Sequence, residues 1–143
     1  MSDGPDRPET YQLTEQVGYT LRRANQRHVA IFSRLVDDVT PTQFATLARL
    51  FERGALSQNK LGRLTAMDSA TIKGVVQRLR QKGFITSRPD HNDKRLLLVE
   101  LTPEGEAAFR KAHDQALRAR AETLEPLSPD EAAQFEELLA KLV

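Results

Sequence analysis

With 143 residues, 29% charged and 39% hydrophobic, the chain is sized for one soluble domain whose modest core often grows by pairing with a second copy. It has no cysteine, which excludes disulfides, thiolate zinc sites and thiol redox sensing, and no apolar run approaches the ~20 residues of a membrane span. The formal charge of +1 hides an asymmetry: nine Lys and Arg face three Asp between Ser57 and Arg95, while the remainder holds 12 cations and 17 acids. A basic middle between acidic ends suits a polyanionic partner; the plainer alternative is a solvated basic face. The polar opening MSDGPDRPET reads as neither signal peptide nor anchor, so a cytoplasmic protein is expected.

A first helix is expected over about 10–38, where Val17, Leu21, Ala24, His28, Ile31 and Leu35 recur at alternating steps of four and three. Thr40, Pro41 and Gln43 supply an N-cap, a first-turn proline and a capping-box partner for a second helix. That helix should bury Phe44, Leu47, Leu50 and Phe51 and end near Gly54. A short third helix starts at Ser57 and carries Leu61 and Leu64, and Asp68 caps a fourth that stops at Gly83. Two strands, 84–88 and 96–101, flank the turn-rich PDHNDKR. Thr102-Pro103 opens a fifth helix with Ala108, Phe109, Ala112, Ala116, Leu117 and Leu124 inside. The capping box from Ser128 to Glu131 opens a sixth that should bury Phe135, Leu138, Leu139 and Leu142. The fold class is mainly α with a small β-hairpin wing, with a helix-turn-helix lobe over 40–101 and helical regions over 1–39 and 102–143.

At about 100° per residue, Ile72, Val75, Val76 and Leu79 of the fourth helix share one apolar arc. Opposite lie Ala70, Gly74, Gln77 and Gln81, flanked by Lys73 and Arg80 on one side and Thr71 and Arg78 on the other. A mid-helix glycine costs about 1 kcal/mol relative to alanine. A bare centre with cationic edges fits a helix seated in the major groove of B-DNA, its cations on the phosphates. The other reading of Gly74 is close contact with a neighbouring helix. Joined by Ala66-Met67-Asp68, the third and fourth helices form a helix-turn-helix, with the hairpin as its wing.

The wing tip, Asn92-Asp93-Lys94-Arg95, can reach the minor groove, with Asp93 expected to hold the Arg95 guanidinium in a bidentate pair. An ordinary polar turn carrying a surface ion pair is the alternative. Phosphate contacts are assigned to Lys60, Arg63, Arg78, Arg80, Arg88 and Lys94, and base reading to Ser69, Thr71, Lys73 and Gln77. Gln58 and Asn59 would bond phosphates at the start of the third helix.

The run from Asp68 to Gly105, chiefly Asp93-Lys94-Arg95 followed by Leu101-Thr102-Pro103-Glu104-Gly105, resembles the MarR family of winged-helix transcription regulators; Thr40-Pro41-Thr42-Gln43 is similar too. The resemblance implies a homodimer whose first, fifth and sixth helices intertwine, making 1–39 and 102–143 the dimerisation region. It also implies a fourth helix in the major groove of a palindromic double-stranded operator, and Arg95 in the minor groove. Repression would be relieved by a small molecule, often an aromatic acid or phenol, bound between the dimer helices and the DNA lobe. The stretch EQVGYTLRRANQRH resembles members governing breakdown of hydroxycinnamates and related aromatic acids, some answering to acyl-CoA forms.

On that basis His28, with Phe32 and Phe44, is the candidate for a ligand phenol or carboxylate, and Arg22, Arg23 and Arg27, with Arg34, for the phosphates of a CoA thioester. The plainer readings are a satisfied core histidine and a solvated arginine stripe. No Gly-rich phosphate loop, catalytic constellation or metal spacing is present, so no enzyme, cofactor or metal is expected. Two alternatives to a ligand-responsive regulator are an architectural DNA-binding protein that ignores metabolites and a winged-helix protein-interaction module.

Overall fold

The computed structural model describes residues 12–143, so the expected helix start at Thr10 lies outside the described residues. A 3-10 turn, Leu13–Glu15, leads into an extended Gln16, and the first helix, α1, runs Val17–Leu35. It ends short of the expected Asp38 because the chain turns extended at Val36, letting Val36 and Val39 both reach the core while Asp37 and Asp38 stay outside. The remaining elements are α2 (Pro41–Arg53), β1 (Leu56–Ser57), α3 (Gln58–Leu64), α4 (Ser69–Gln81), β2 (Ile85–Pro89), β3 (Leu97–Leu101), α5 (Pro103–Leu124) and α6 (Pro129–Ala140).

Local chemistry starts and stops these elements. The Thr40 hydroxyl accepts from the Gln43 amide and the Gln43 side chain accepts from the Thr40 amide, the full capping box of α2. Gly83, at φ 79, lets the chain leave α4 in the left-handed region. Thr102 caps α5 and ties it to the hairpin: its amide donates to Phe84 O at 3.0 Å and its hydroxyl to Gly83 O at 2.6 Å. A Cβ on Gly105 would stand 1.9 Å from that same Phe84 oxygen, so only glycine permits the joint.

The sheet is antiparallel with order β1-β3-β2. Ile85 pairs Leu101 and Pro89 pairs Leu97, while β1, which was not expected, pairs Leu56 with Val99. Two residues are too few to show alternation. The core centres on the winged lobe, with Leu47, Leu61, Ile72, Val76 and Leu79 almost wholly buried, and continues through Phe32 and Phe109 into α1 and α5.

Burial departs from expectation on one side of the molecule. Phe135, Leu138 and Leu142 are 41%, 50% and 66% exposed rather than buried, and Val17, Leu21 and Leu117 are exposed too. Among the described residues, no element packs closely on the apolar face of α6. Phe51 is also exposed, because it lies on the outer flank of Phe109, with ring centroids 4.6 Å apart and the Arg110 guanidinium over it.

Candidate nucleic-acid interface

Ser57 caps α3 by accepting from the Lys60 amide. The chain then turns through Ala66, at φ 56, and the Met67 amide donates to Gly62 O at 2.9 Å. A Cβ on Gly62 would meet Ile72 Cγ2 and Met67 O at 3.2 Å, so a residue without a side chain lets α3 and α4 close on each other. Sequence reasoning missed Gly62; its signal was a glycine inside a seven-residue helix. Asp68 accepts from the Thr71 amide at 2.7 Å. That bond holds the Asp68 carboxyl below the ordinary aspartate range and places its charge at the positive end of α4.

The expected arc of α4 is buried: Ile72, Val75, Val76 and Leu79. Ala70, Thr71, Lys73, Gln77, Arg78, Arg80 and Gln81 are exposed, with Ser69 at the open N-terminal end. No atom lies within 4 Å of where a Gly74 Cβ would stand. Gly74 therefore serves no helix contact within the chain; it faces open space between cations. Asn59, Arg63 and Ser69 line one crevice at the α3–α4 junction, next to Gln58 and Lys60 on the first turn of α3.

The wing corrects one expectation. Asp93 does not pair with the Arg95 guanidinium: its Oδ1 accepts from the Arg95 backbone amide at 3.0 Å, just as Asp90 Oδ1 accepts from the Asn92 amide at 2.8 Å. A carboxylate two residues before an amide reaches that amide more readily than the far end of a long side chain. The Asp90 amide donates to Leu96 O and closes the loop. Arg88 pairs at 3.0 Å with Glu100 on the facing strand and keeps a partly exposed side chain. Arg80 donates to Ser87 Oγ at 2.6 Å, pinning α4 to β2. Among the described residues, Lys60, Arg63, Lys73, Arg78, Lys94 and Arg95 form no ion pair and remain available to a polyanion.

A second feature lies in the helical region. A groove of about 450 Å³ runs between α1, α5 and α6, lined mainly by Leu21, Leu124, Phe135 and Leu139, with Asn25, His28, Thr123 and the Arg120–Glu136 pair as its polar members. Thr123 Oγ1 donates its single proton to Ala119 O at 2.8 Å, so it must accept from His28 Nδ1, also at 2.8 Å. In the tautomer this arrangement favours, Nδ1 carries the hydrogen and Nε2 is left as an acceptor.

Of the other ligand candidates, Phe32 is buried and Phe44 half-buried, following His28 in a row of mutually tilted rings with centroids 6.3 and 5.9 Å apart. Arg27 donates to Thr123 O and Glu122 O at the end of α5, and Arg34 bonds the Glu122 carboxylate. Arg22 and Arg23 lie against Tyr19. None of the four arginines lines the groove. Thr123 and Arg120 had no sequence signal, because each meets its partner only across the fold.

A model of the MarR family matches residues 39–97. The multiple antibiotic resistance protein MarR of Salmonella typhimurium is 30% identical over 130 residues, spanning 89% of this chain and 90% of that protein. The chain belongs to the MarR family. It is thus a DNA-binding transcription regulator and not an enzyme.

Other proteins are more similar in sequence. The HTH-type transcriptional repressor NicR of Pseudomonas putida is 46% identical over 99 residues, covering 68% of this chain but 63% of NicR. A probable transcriptional regulator from Pseudomonas aeruginosa superposes with a TM-score of 0.90 at 47% identity, over 92% of this chain and 100% of that one. Bordetella bronchiseptica BpsR, whose DNA binding is regulated by 6-hydroxynicotinic acid, superposes with a TM-score of 0.87 at 38% identity, over 92% and 96%. Among the described residues, six α-helices and a three-stranded wing sheet make up this MarR fold. Among the described residues, no helix is long and apolar enough to cross a membrane, and no group of three or more metal-ligating side chains is placed to hold an ion.

Proposed function

We propose that two copies of this MarR-family chain bind a palindromic operator, repress transcription, and release the DNA when a hydroxylated aromatic acid binds. The observation that carries this is the open, glycine-centred face of α4 between unpaired cations. Ser69, Thr71, Lys73 and Gln77 read bases in the major groove, Asn59, Lys60, Arg63, Arg78 and Lys94 hold phosphates, and Arg95 enters the minor groove. A homodimer supplies what α6 lacks: the exposed leucines, Val17 and Phe135 of regions 12–39 and 102–143 form an apolar surface that a second copy would cover. NicR is a repressor, which favours repression over activation.

His28 supports the effector class. As an acceptor, Nε2 suits a phenolic or heterocyclic hydroxyl, and Arg120 is the groove's guanidinium for a carboxylate, in exchange for Glu136. A free acid fits better than a CoA thioester, because Arg27 and Arg34 are already occupied with α5. The ligand control of BpsR points the same way.

Fluorescence anisotropy on a selected operator, titrated with 6-hydroxynicotinic acid, nicotinic acid and p-coumaroyl-CoA, tests the reading. The hydroxylated acid should release the DNA at the lowest concentration, and His28→Phe should abolish its advantage over nicotinic acid. Release by the thioester alone, or by none of the three, contradicts the assignment.

A further inference from the structure

Resting on the operator reading above, we propose that the loop joining α1 to α2 sets the seat of the reading helix, with Lys82 and Gln43 as its positioning residues. Lys82 ends α4, and its Nζ donates to Asp38 O at 2.5 Å and to Gln43 Oε1 at 3.0 Å. Gln43 is 5% exposed, and the same Oε1 accepts from the Thr40 amide, so one buried oxygen joins the cap of α2 to the end of α4.

The loop is held from its other side by α5. Lys111 Nζ lies 3.3 Å from Asp38 Oδ2, Gln115 Nε2 donates to Asp37 Oδ2 at 3.1 Å, and the Asp37 amide donates to Gln115 Oε1 at 3.4 Å. The loop is thus clasped between a helix of the pairing region and the last turn of α4. By contrast, α4 packs on α2, α3 and β2 and makes no substantial contact with α1 or α5. Besides α2, which packs on both α5 and α4, and the Thr102 bonds to Gly83 O and Phe84 O, the polar bonds at Asp38 and Gln43 carry a shift of α1 or α5 to the C-terminal end of α4. Among the cations of α4 and its cap, Lys82 alone bonds to this loop. Loss of these bonds frees the tilt of α4 without touching its base-facing side.

The test is operator half-site spacing in ligand-free protein, a readout that general destabilisation does not move. Wild-type dimer should discriminate against spacers altered by one or two base pairs by about 5- to 150-fold, the range of a lost base contact. Gln43→Met keeps every charge and removes the shared acceptor, and it should cut that discrimination to within about threefold of none. Gln43→Glu keeps an acceptor for both donors and should restore it. Lys82→Met should behave like Gln43→Met, with a uniform further loss of affinity from the deleted cation; it serves if Gln43→Met does not fold. Wild-type discrimination retained in Gln43→Met and Lys82→Met overturns the inference alone. Wild-type protein that binds no operator overturns the operator reading and this inference with it.

Discussion

Replacing Gly74 by alanine should raise stability and weaken operator binding, two effects that rarely coincide. Alanine gains roughly 0.8–1.0 kcal/mol over glycine in a helix interior. Among the described residues nothing opposes that gain, since no atom beyond the helix's own backbone and the neighbouring residues lies within 4 Å of the new methyl group. At this chain length each kcal/mol moves the melting temperature by about 3–4 °C, so the variant should melt about 3 °C higher. On DNA the methyl group stands between the helix axis and the bases. If it displaces one base contact, binding weakens by roughly 1–3 kcal/mol, about 5- to 150-fold. Calorimetric melting of the free protein and anisotropy on operator at fixed salt measure the two effects. Unchanged operator affinity would refute close approach as the reason for Gly74, and a lower melting temperature would refute the open space around it.

Substitutions at four further positions probe separate parts. Arg95→Ala should lose about tenfold or more on operator while changing little on random duplex, because a minor-groove contact carries specificity; equal losses on both would reduce Arg95 to a phosphate contact. Asp93→Asn should bind operator like wild type and Asp93→Ala more weakly, because Oδ1 holds the Arg95 amide; a loss in Asp93→Asn as large as in Asp93→Ala would restore the guanidinium pairing. Gly105→Ala should cost about 3 kcal/mol, at the upper end for overpacking, since its Cβ would strike a backbone oxygen; a melting temperature within a degree of wild type would disprove the joint. For Asp68 the folded-state pKa is lowered by the Thr71 amide bond, so its contribution is complete above the ordinary aspartate range, about 3.9, and disappears as pH falls through the folded value. Asp68→Asn keeps an acceptor cap and should flatten that part of the acid unfolding profile; an unchanged profile would contradict it.

The helix starts were legible because their chemistry is local. Thr40-Pro41, Thr102-Pro103 and Ser128-Pro129 each place a capping hydroxyl before a proline, and all three open helices where expected. The buried arc of α4 was legible because a period of 3.6 residues needs no partner to be seen. Contacts between distant segments were not. The His28–Thr123 bond spans 95 positions, and the Arg88–Glu100 pair depends on a strand register that the loop length alone does not set. Asp93 was placed correctly on the wing but given the wrong donor, since sequence spacing does not tell an amide from a guanidinium. The exposure of Phe135 and Leu138 was missed because an apolar stripe reads the same whether its own chain or another covers it.

Selection of bound duplexes from a random pool tests most directly the claim that paired copies seat α4 in successive major grooves. The expected product is an inverted repeat whose half-site centres lie about 10 base pairs apart, one turn of the helix. Recovery of no preferred sequence, or of a lone half-site without its mirror, would contradict it.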